Sequence, residues 1–191
     1  MSTTVETDLF QVWARRLNQS DPSAMEALFR ALHAPLVRYA QGFTQDRAAA
    51  DDLVQDAFVR IWERRERLDP TLSLKAFAYR TVRNLCLNRL RDEKNREALV
   101  EAQYEPPGLA PEHPGHRQDG DELARRLNGW IAGLPDRQKE ALTLSRFQGL
   151  NHEEIARAMK VSPRTVNNHL VKALRTLRDR VRSYEPTLLD S

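Results

Sequence analysis

GLNHEEIARAMKVSPRTVNNHLVKALRTLR, residues 149–178, contains two helix starts, one at Asn151 and one at Ser162. Asn151 is a good N-cap, and Glu154 three residues later completes a capping box over a helix from His152 to Met159. Ser162-Pro163 opens the next helix, because serine caps well and proline has no N–H to lose at the first helical position. Nothing between Arg164 and Arg182 breaks that helix. Ile155, Ala156, Met159, Val161, Val166 and Leu170 are spaced to pin the two helices together. The result is a helix-turn-helix, whose second helix presents polar side chains to the major groove of DNA. Lys160 falls in the turn, where glycine would be easier if the backbone needs positive φ.

The first two turns of that second helix, with the serine before it, offer Ser162, Arg164, Thr165, Asn167, Asn168, His169 and Lys172. Arginine pairs with guanine acceptors, asparagine with adenine, and hydroxyls and lysine with phosphates. Charge agrees with that use. Arg137 to Arg182 holds 11 Lys/Arg against 4 Asp/Glu, although the whole chain carries only +3. A local excess of this size attracts a polyanion.

Upstream, Leu134-Pro135-Asp136 introduces a helix to about Gln148, stopped by Gly149, and Asp121 to Ala132 reads as another. EPPGLAPEHPGHRQDG, residues 105–120, then interrupts the helical pattern with four prolines and three glycines. Such a segment favours extended, solvated chain. Its His113 and His116 lack the further ligands and fixed geometry of a metal site.

The N-terminal half is helical again. Asp21-Pro22 starts a helix to about Gly42, which Pro35 is expected to kink or divide. A second runs from about Ala49 to Arg65 with a continuous stripe of Leu53, Val54, Ala57, Phe58, Ile61 and Trp62. A third spans about Leu74 to Lys94, burying Leu74, Phe77, Ala78, Val82, Leu85 and Leu90. The connection RERLDPTLS, residues 65–73, carries an Asp-Pro turn signal. No alternating strand pattern is found, so the expected class is all-α, with two small helical domains on a flexible Pro/Gly-rich linker. The expected divisions are a tail and lead-in helix at 1–20, a first domain at 21–97, the linker at 98–120, a second domain at 121–182 and a tail at 183–191.

Two ordered blocks then carry a resemblance. DDLVQDAFVRIWERR and FAYRTVRNLCLNRLRDEK, within residues 51–94, resemble the second region of bacterial sigma factors. LPDRQKEALTLSRFQGLNHEEIARAMKVSPRTVNNHLVKALRTLR, residues 134–178, resembles their fourth. The order of the blocks, and the absence of an additional central domain between them, look like the extracytoplasmic-function (ECF) group.

The resemblance implies a non-enzymatic subunit that binds core RNA polymerase, through its clamp helices and flap, and promoter DNA both double- and single-stranded. It assigns Asp52, Gln55, Asp56 and Arg60 to the polymerase surface. The loop at 65–73, with Leu68 as an apolar wall, would receive a flipped base, and Tyr79, Arg80, Arg83, Asn84 and Asn88 would melt and read the minus-ten element. The helix-turn-helix would read the minus-thirty-five duplex. An anti-sigma factor is the implied regulator. Asn84 and Asn88 lie one turn apart, so both can face a strand. Phe77 is better placed for the core than for a base.

Other readings remain at this stage. The chain can be a two-domain helix-turn-helix regulator that never binds polymerase, since the run from Ser162 to His169 also suits such proteins. An enzyme is disfavoured: no Gly-rich phosphate loop, H-E-x-x-H or Cys/His metal spacing is present. Asp51, Asp52 and Asp56 form a carboxylate cluster that suits a solvated or partner-facing helix surface. No cofactor or metal is expected. The lone Cys86 fits a small core residue in a reducing compartment. Met1 to Asp8 lacks a basic start followed by an apolar run, and no stretch reaches the ~18 apolar residues of a membrane span. A cytoplasmic location without membrane contact is expected.

Overall fold

The computed structural model describes residues 2–101 and 122–184, all of them in helices and short connections, with no strand among the described residues. The linker reading at 105–120, including His113 and His116, and the end of the chain from 185 lie outside the described residues.

Helices α1 (Ser2–Asn18), α2 (Pro22–Thr44), α3 (Arg47–Glu63) and α4 (Leu74–Glu101) make the N-terminal half. Helix α1 buries Phe10, Ala14 and Leu17 and packs on α2, with the Phe10 ring beside Lys75 at the start of α4. The turn between them places Ser20 at φ 58°, and Asp21 then caps α2 by accepting the Ser23 amide at 2.9 Å. Asp21 also accepts from Arg16 at 2.9 Å. The Ser23 and Arg16 hydrogen bonds hold its carboxyl below the usual range.

Helix α2 runs through Pro35 as one helix, so the proline does not divide it. Leu28 and Leu32 before the proline and Leu36 and Ala40 after it are all buried. Packing on both sides therefore keeps the helix continuous although one backbone hydrogen bond is missing. Helix α3 is capped by Asp46, whose carboxylate accepts the Ala48 amide at 3.0 Å, and it buries the expected stripe from Leu53 to Ile61, with Trp62 half-buried at its end. Cys86 is fully buried on α4, and burial pushes its thiol up to about 12, so it is a packing residue. Helix α4 continues past the expected end at Lys94 to Glu101.

In the C-terminal half, α5 (Glu122–Ala132) and α6 (Asp136–Leu142) lead into a wider π turn at Thr143–Phe147. Gly149, at φ 66°, ends that segment as expected. Both halves of the capping box on α7 (His152–Met159) are made, at 2.8 and 2.9 Å. Lys160 sits at φ 56°, ψ 49°, the left-handed turn that a glycine would occupy without strain. Ser162 then caps α8 (Pro163–Tyr184) by accepting the Thr165 amide at 3.0 Å.

The two halves meet. Helix α7 packs on α4, and the π turn and α6 close over one side of α4. Their seam has polar contacts at its heart: among the described residues, Arg83, Glu140 and Gln148 are the buried polar side chains, and all three sit in it.

Candidate nucleic-acid and polymerase interface

On α8 the buried face is Val166, Leu170, Ala173 and Leu177, which pack within the C-terminal half. The opposite face is left to solvent. Arg164, Asn167, Asn168 and Lys172 are exposed on it, with Ser162 at its start, while Thr165 and His169 are half-buried at its edge. Ser162 and Thr165 hydrogen-bond each other at 2.8 Å, so part of their capacity goes to the helix start. What remains is a row of cationic and amide groups on a rigid helix, suited to base edges and phosphates.

The α4 surface is divided. Arg80, Asn84 and Asn88 line an open cleft of about 490 Å³ with Phe77 and Thr81, joined by Arg60 and Arg64 from α3 and Lys160 from the helix-turn-helix. Among the described residues, no carboxylate lines this cleft. Phe77 is half-buried, as its core reading requires, with the Arg80 guanidinium 5.3 Å from its ring centroid. Such a combination of amides, cations and one aromatic face suits an unpaired strand. Sequence reasoning missed Arg64 and Lys160 as members of this cleft. The signal available was their charge, but their convergence depends on how α3, α4 and α7 pack.

Tyr79 and Arg83 do not join that cleft. Tyr79 is fully buried, donating to Gln148 Oε1 at 2.6 Å and meeting the Tyr39 ring edge-on at 5.2 Å. Arg83 is 3% exposed, and its Nε donates to Glu140 Oε1 at 2.6 Å. Tyr39 donates to the same oxygen at 2.8 Å. Burial first, and then the Glu140 charge, push the Tyr39 phenol well above its ordinary value; burial does the same to Tyr79. Both hydroxyls therefore stay protonated donors.

Leu68 also departs from an open wall. It is 8% exposed, and its carbonyl accepts from Asn18 Nδ2 at 3.0 Å. The loop around it is pre-shaped: Asp69 accepts from both the amide and the hydroxyl of Thr71, bonds that hold its carboxyl below the usual range. Ser73 Oγ then accepts the Ala76 amide at 3.1 Å and starts α4.

On α3, Asp52, Gln55 and Asp56 are exposed together with Val59, which gives this acidic face an apolar centre that charge alone did not reveal. Gln55 donates to Asp51 at 2.7 Å, and Asp51 also pairs with His33 at 3.1 Å. Arg60 is exposed too but lines the cleft of Arg80, Asn84 and Asn88. Among the described residues, no group of three or more His, Cys, Asp or Glu is arranged to hold a metal ion, and no helix is long and apolar enough to cross a membrane.

Sequence families match on both sides of the seam. Residues 28–96 match Sigma-70 region 2 and residues 124–177 match Sigma-70 region 4. The chain belongs to the ECF sigma factors. Among curated relatives it is similar to the ECF RNA polymerase sigma factor SigM of Bacillus subtilis (strain 168), at 24% identity over 158 residues, covering 81% of this chain and 93% of that one. Similarity to the ferric citrate uptake sigma factor FecI of Escherichia coli (strain K12) is 29% over 153 residues, covering 78% and 86%. In fold, it matches the sigma factor RpoE from Bartonella quintana, solved in complex with the anti-sigma factor NepR, with a TM-score of 0.63 at 21% identity. That match covers 82% of this chain and 96% of that chain.

A sigma factor works by binding polymerase and DNA, so the reading of a regulator that never engages polymerase is set aside. No bond-making step belongs to the chain.

Proposed function

We propose that this ECF sigma factor divides promoter recognition between its two exposed nucleic-acid surfaces. The polar face of α8 (Arg164, Asn167, Asn168, Lys172, with Ser162, Thr165 and His169 at its edge) reads the minus-thirty-five duplex. The cleft of Arg80, Asn84 and Asn88 takes single-stranded minus-ten bases, and Asp52, Gln55 and Asp56 with Val59 meet the polymerase clamp, Arg60 serving both. The flap side of polymerase is met by the C-terminal half. The domain limits that go with this division are 21–97 and 121–182, joined by 98–120.

The cleft carries the proposal. It offers two amides one turn apart on a helix that region 2 supplies, surrounded by four cations (Arg60, Arg64, Arg80 and Lys160) and, among the described residues, by no carboxylate. Melting needs no nucleotide hydrolysis by this chain. Stacking and pocket contacts to flipped bases offset the few kcal/mol lost when they leave the duplex. An anti-sigma factor is the proposed regulator, supported by the fold shared with a sigma factor solved in such a complex.

Run-off transcription with purified bacterial core polymerase on a promoter library tests this. Wild type gives promoter-specific transcripts, and Asn84→Ala weakens or re-targets them by about 1–3 kcal/mol of base discrimination. Core binding with unchanged promoter choice in Asn84→Ala would move the minus-ten contact elsewhere on the chain.

A further inference from the structure

Helices α1 and α2 are joined by a tight turn that is fixed from both sides. Arg16 reaches across it to Asp21 at 2.9 Å and to Ser23 Oγ at 2.6 Å, and the Asp21 amide donates to the Arg16 carbonyl at 3.1 Å. Two side chains leave this turn for a segment far along the chain. Asn18 Nδ2 donates to the Leu68 carbonyl at 3.0 Å, and Ser20 Oγ accepts from Arg65 Nε at 2.9 Å. Arg65 is held further: its Nη1 donates to the Trp62 carbonyl at 3.0 Å, and its guanidinium lies 4.5 Å from the Trp62 ring centroid. Its neighbour Arg64, at the end of α3, lines the cationic cleft with Arg80 and Asn84.

Neither tether residue is the one that local stability favours. Ser20 sits at φ 58°, where glycine would be free of strain. Asn18 keeps its Oδ1 buried without a hydrogen-bond partner among the described residues, a cost that an apolar side chain would not carry. In both cases the polar atom that the alternative lacks is the one that holds the turn at 65–68.

We propose that Asn18 and Ser20 are positioning residues for base selection: they pin the turn at 65–68 and so fix the Arg64 edge of the cleft against the amides of Asn84 and Asn88. The proposal rests on the single-strand reading of that cleft given above. Cations alone hold phosphates of any sequence, whereas choosing a base requires polar groups held to within about half an ångström. A slack turn at 65–68 therefore keeps the charge of the cleft and loses its selectivity. Asn18 and Ser20 act through Leu68 and Arg65 and need not touch DNA themselves.

Run-off transcription with bacterial core polymerase and the full chain tests this, on the strongest promoter of a library and its single-base changes in the minus-ten element. The quantity read is the ratio of transcripts between templates. Ser20→Gly flattens that ratio about fivefold, the lower end of what one base contact contributes, yet melts no lower than wild type because the strained φ is relieved. Asn18→Ala flattens it likewise. Ser20→Asn tolerates the left-handed backbone, restores an acceptor for Arg65 and brings the ratio back. An unchanged ratio in Ser20→Gly overturns the proposal. So does an equal loss on every template, complete loss included, which marks a purely structural turn. Asn84→Ala on the same templates reports on the cleft. If Asn84→Ala shifts the ratio and Ser20→Gly does not, the positioning role fails and the cleft reading stands. If only Ser20→Gly shifts it, the positioning role stands and the base contact belongs to the loop at 65–73 instead of the cleft.

Discussion

Helices α4 and α8 both carry side chains suited to DNA, but they stand in opposite situations. Helix α8 buries one stripe inside its own half, and among the described residues its polar row of Arg164, Asn167, Asn168 and Lys172 stays exposed. Helix α4 is enclosed by α2 and α3 on its apolar sides and met by the C-terminal half on a polar one. Its Arg83 and Tyr79 serve the seam while Arg80, Asn84 and Asn88 remain accessible. Polar side chains on a helix surface are therefore left exposed in one place and become an internal contact in the other. What separates them is the number of neighbours the helix must satisfy.

The sharpest way to break this contrast is Tyr79→Ala. It removes a fully buried ring and a hydrogen-bonded hydroxyl, and urea unfolding should show a loss of about 3–5 kcal/mol. Asn168→Ala on α8, at an exposed position, should stay within ~0.5 kcal/mol of wild type. Equal effects would mean the two helices do not differ as described.

A smaller effect sharpens the boundary between them. Lys160→Gly relieves a left-handed residue and should raise stability by about 1 kcal/mol, while removing one cation from the α4 cleft. A more stable variant that captures single strands less well would place Lys160 in service of α4 rather than α8.

The smallest change in stability belongs to Lys172→Ala. Unfolding should move by less than ~0.5 kcal/mol, but the log–log salt dependence of duplex binding should fall by about one unit, as for one phosphate contact. An unchanged slope removes Lys172 from the DNA-facing row.

Local features were legible from the residues because their partners are near in sequence. The capping box of Asn151 and Glu154, the Asp21 and Ser162 caps, the stop at Gly149 and the strained turn at Lys160 all involve groups within a few positions. The apolar stripe of α3 was equally plain, since burial follows helical period. Whether Pro35 divides its helix was not legible locally, because its cost competes with the burial of Leu32 and Leu36, which only packing supplies. Among the candidate residues, the exposure of the α8 row and the shared side of Asn84 and Asn88 were legible from spacing. The burial of Tyr79, Arg83 and Leu68 was not, because an isolated helical wheel shows which side a residue takes but not what else arrives there.

The sequence by itself determined the helices, their caps, the helix-turn-helix and the two family blocks, because each is written in residues that touch along one element or repeat at its period. Tertiary structure alone decided that Glu140 meets Arg83 across 57 positions and Gln148 meets Tyr79 across 69. Such pairings are set by how two helical halves dock, a geometry no local propensity encodes. Burial then makes them selective, since a charge taken out of water holds its place only beside the partner that replaces the water.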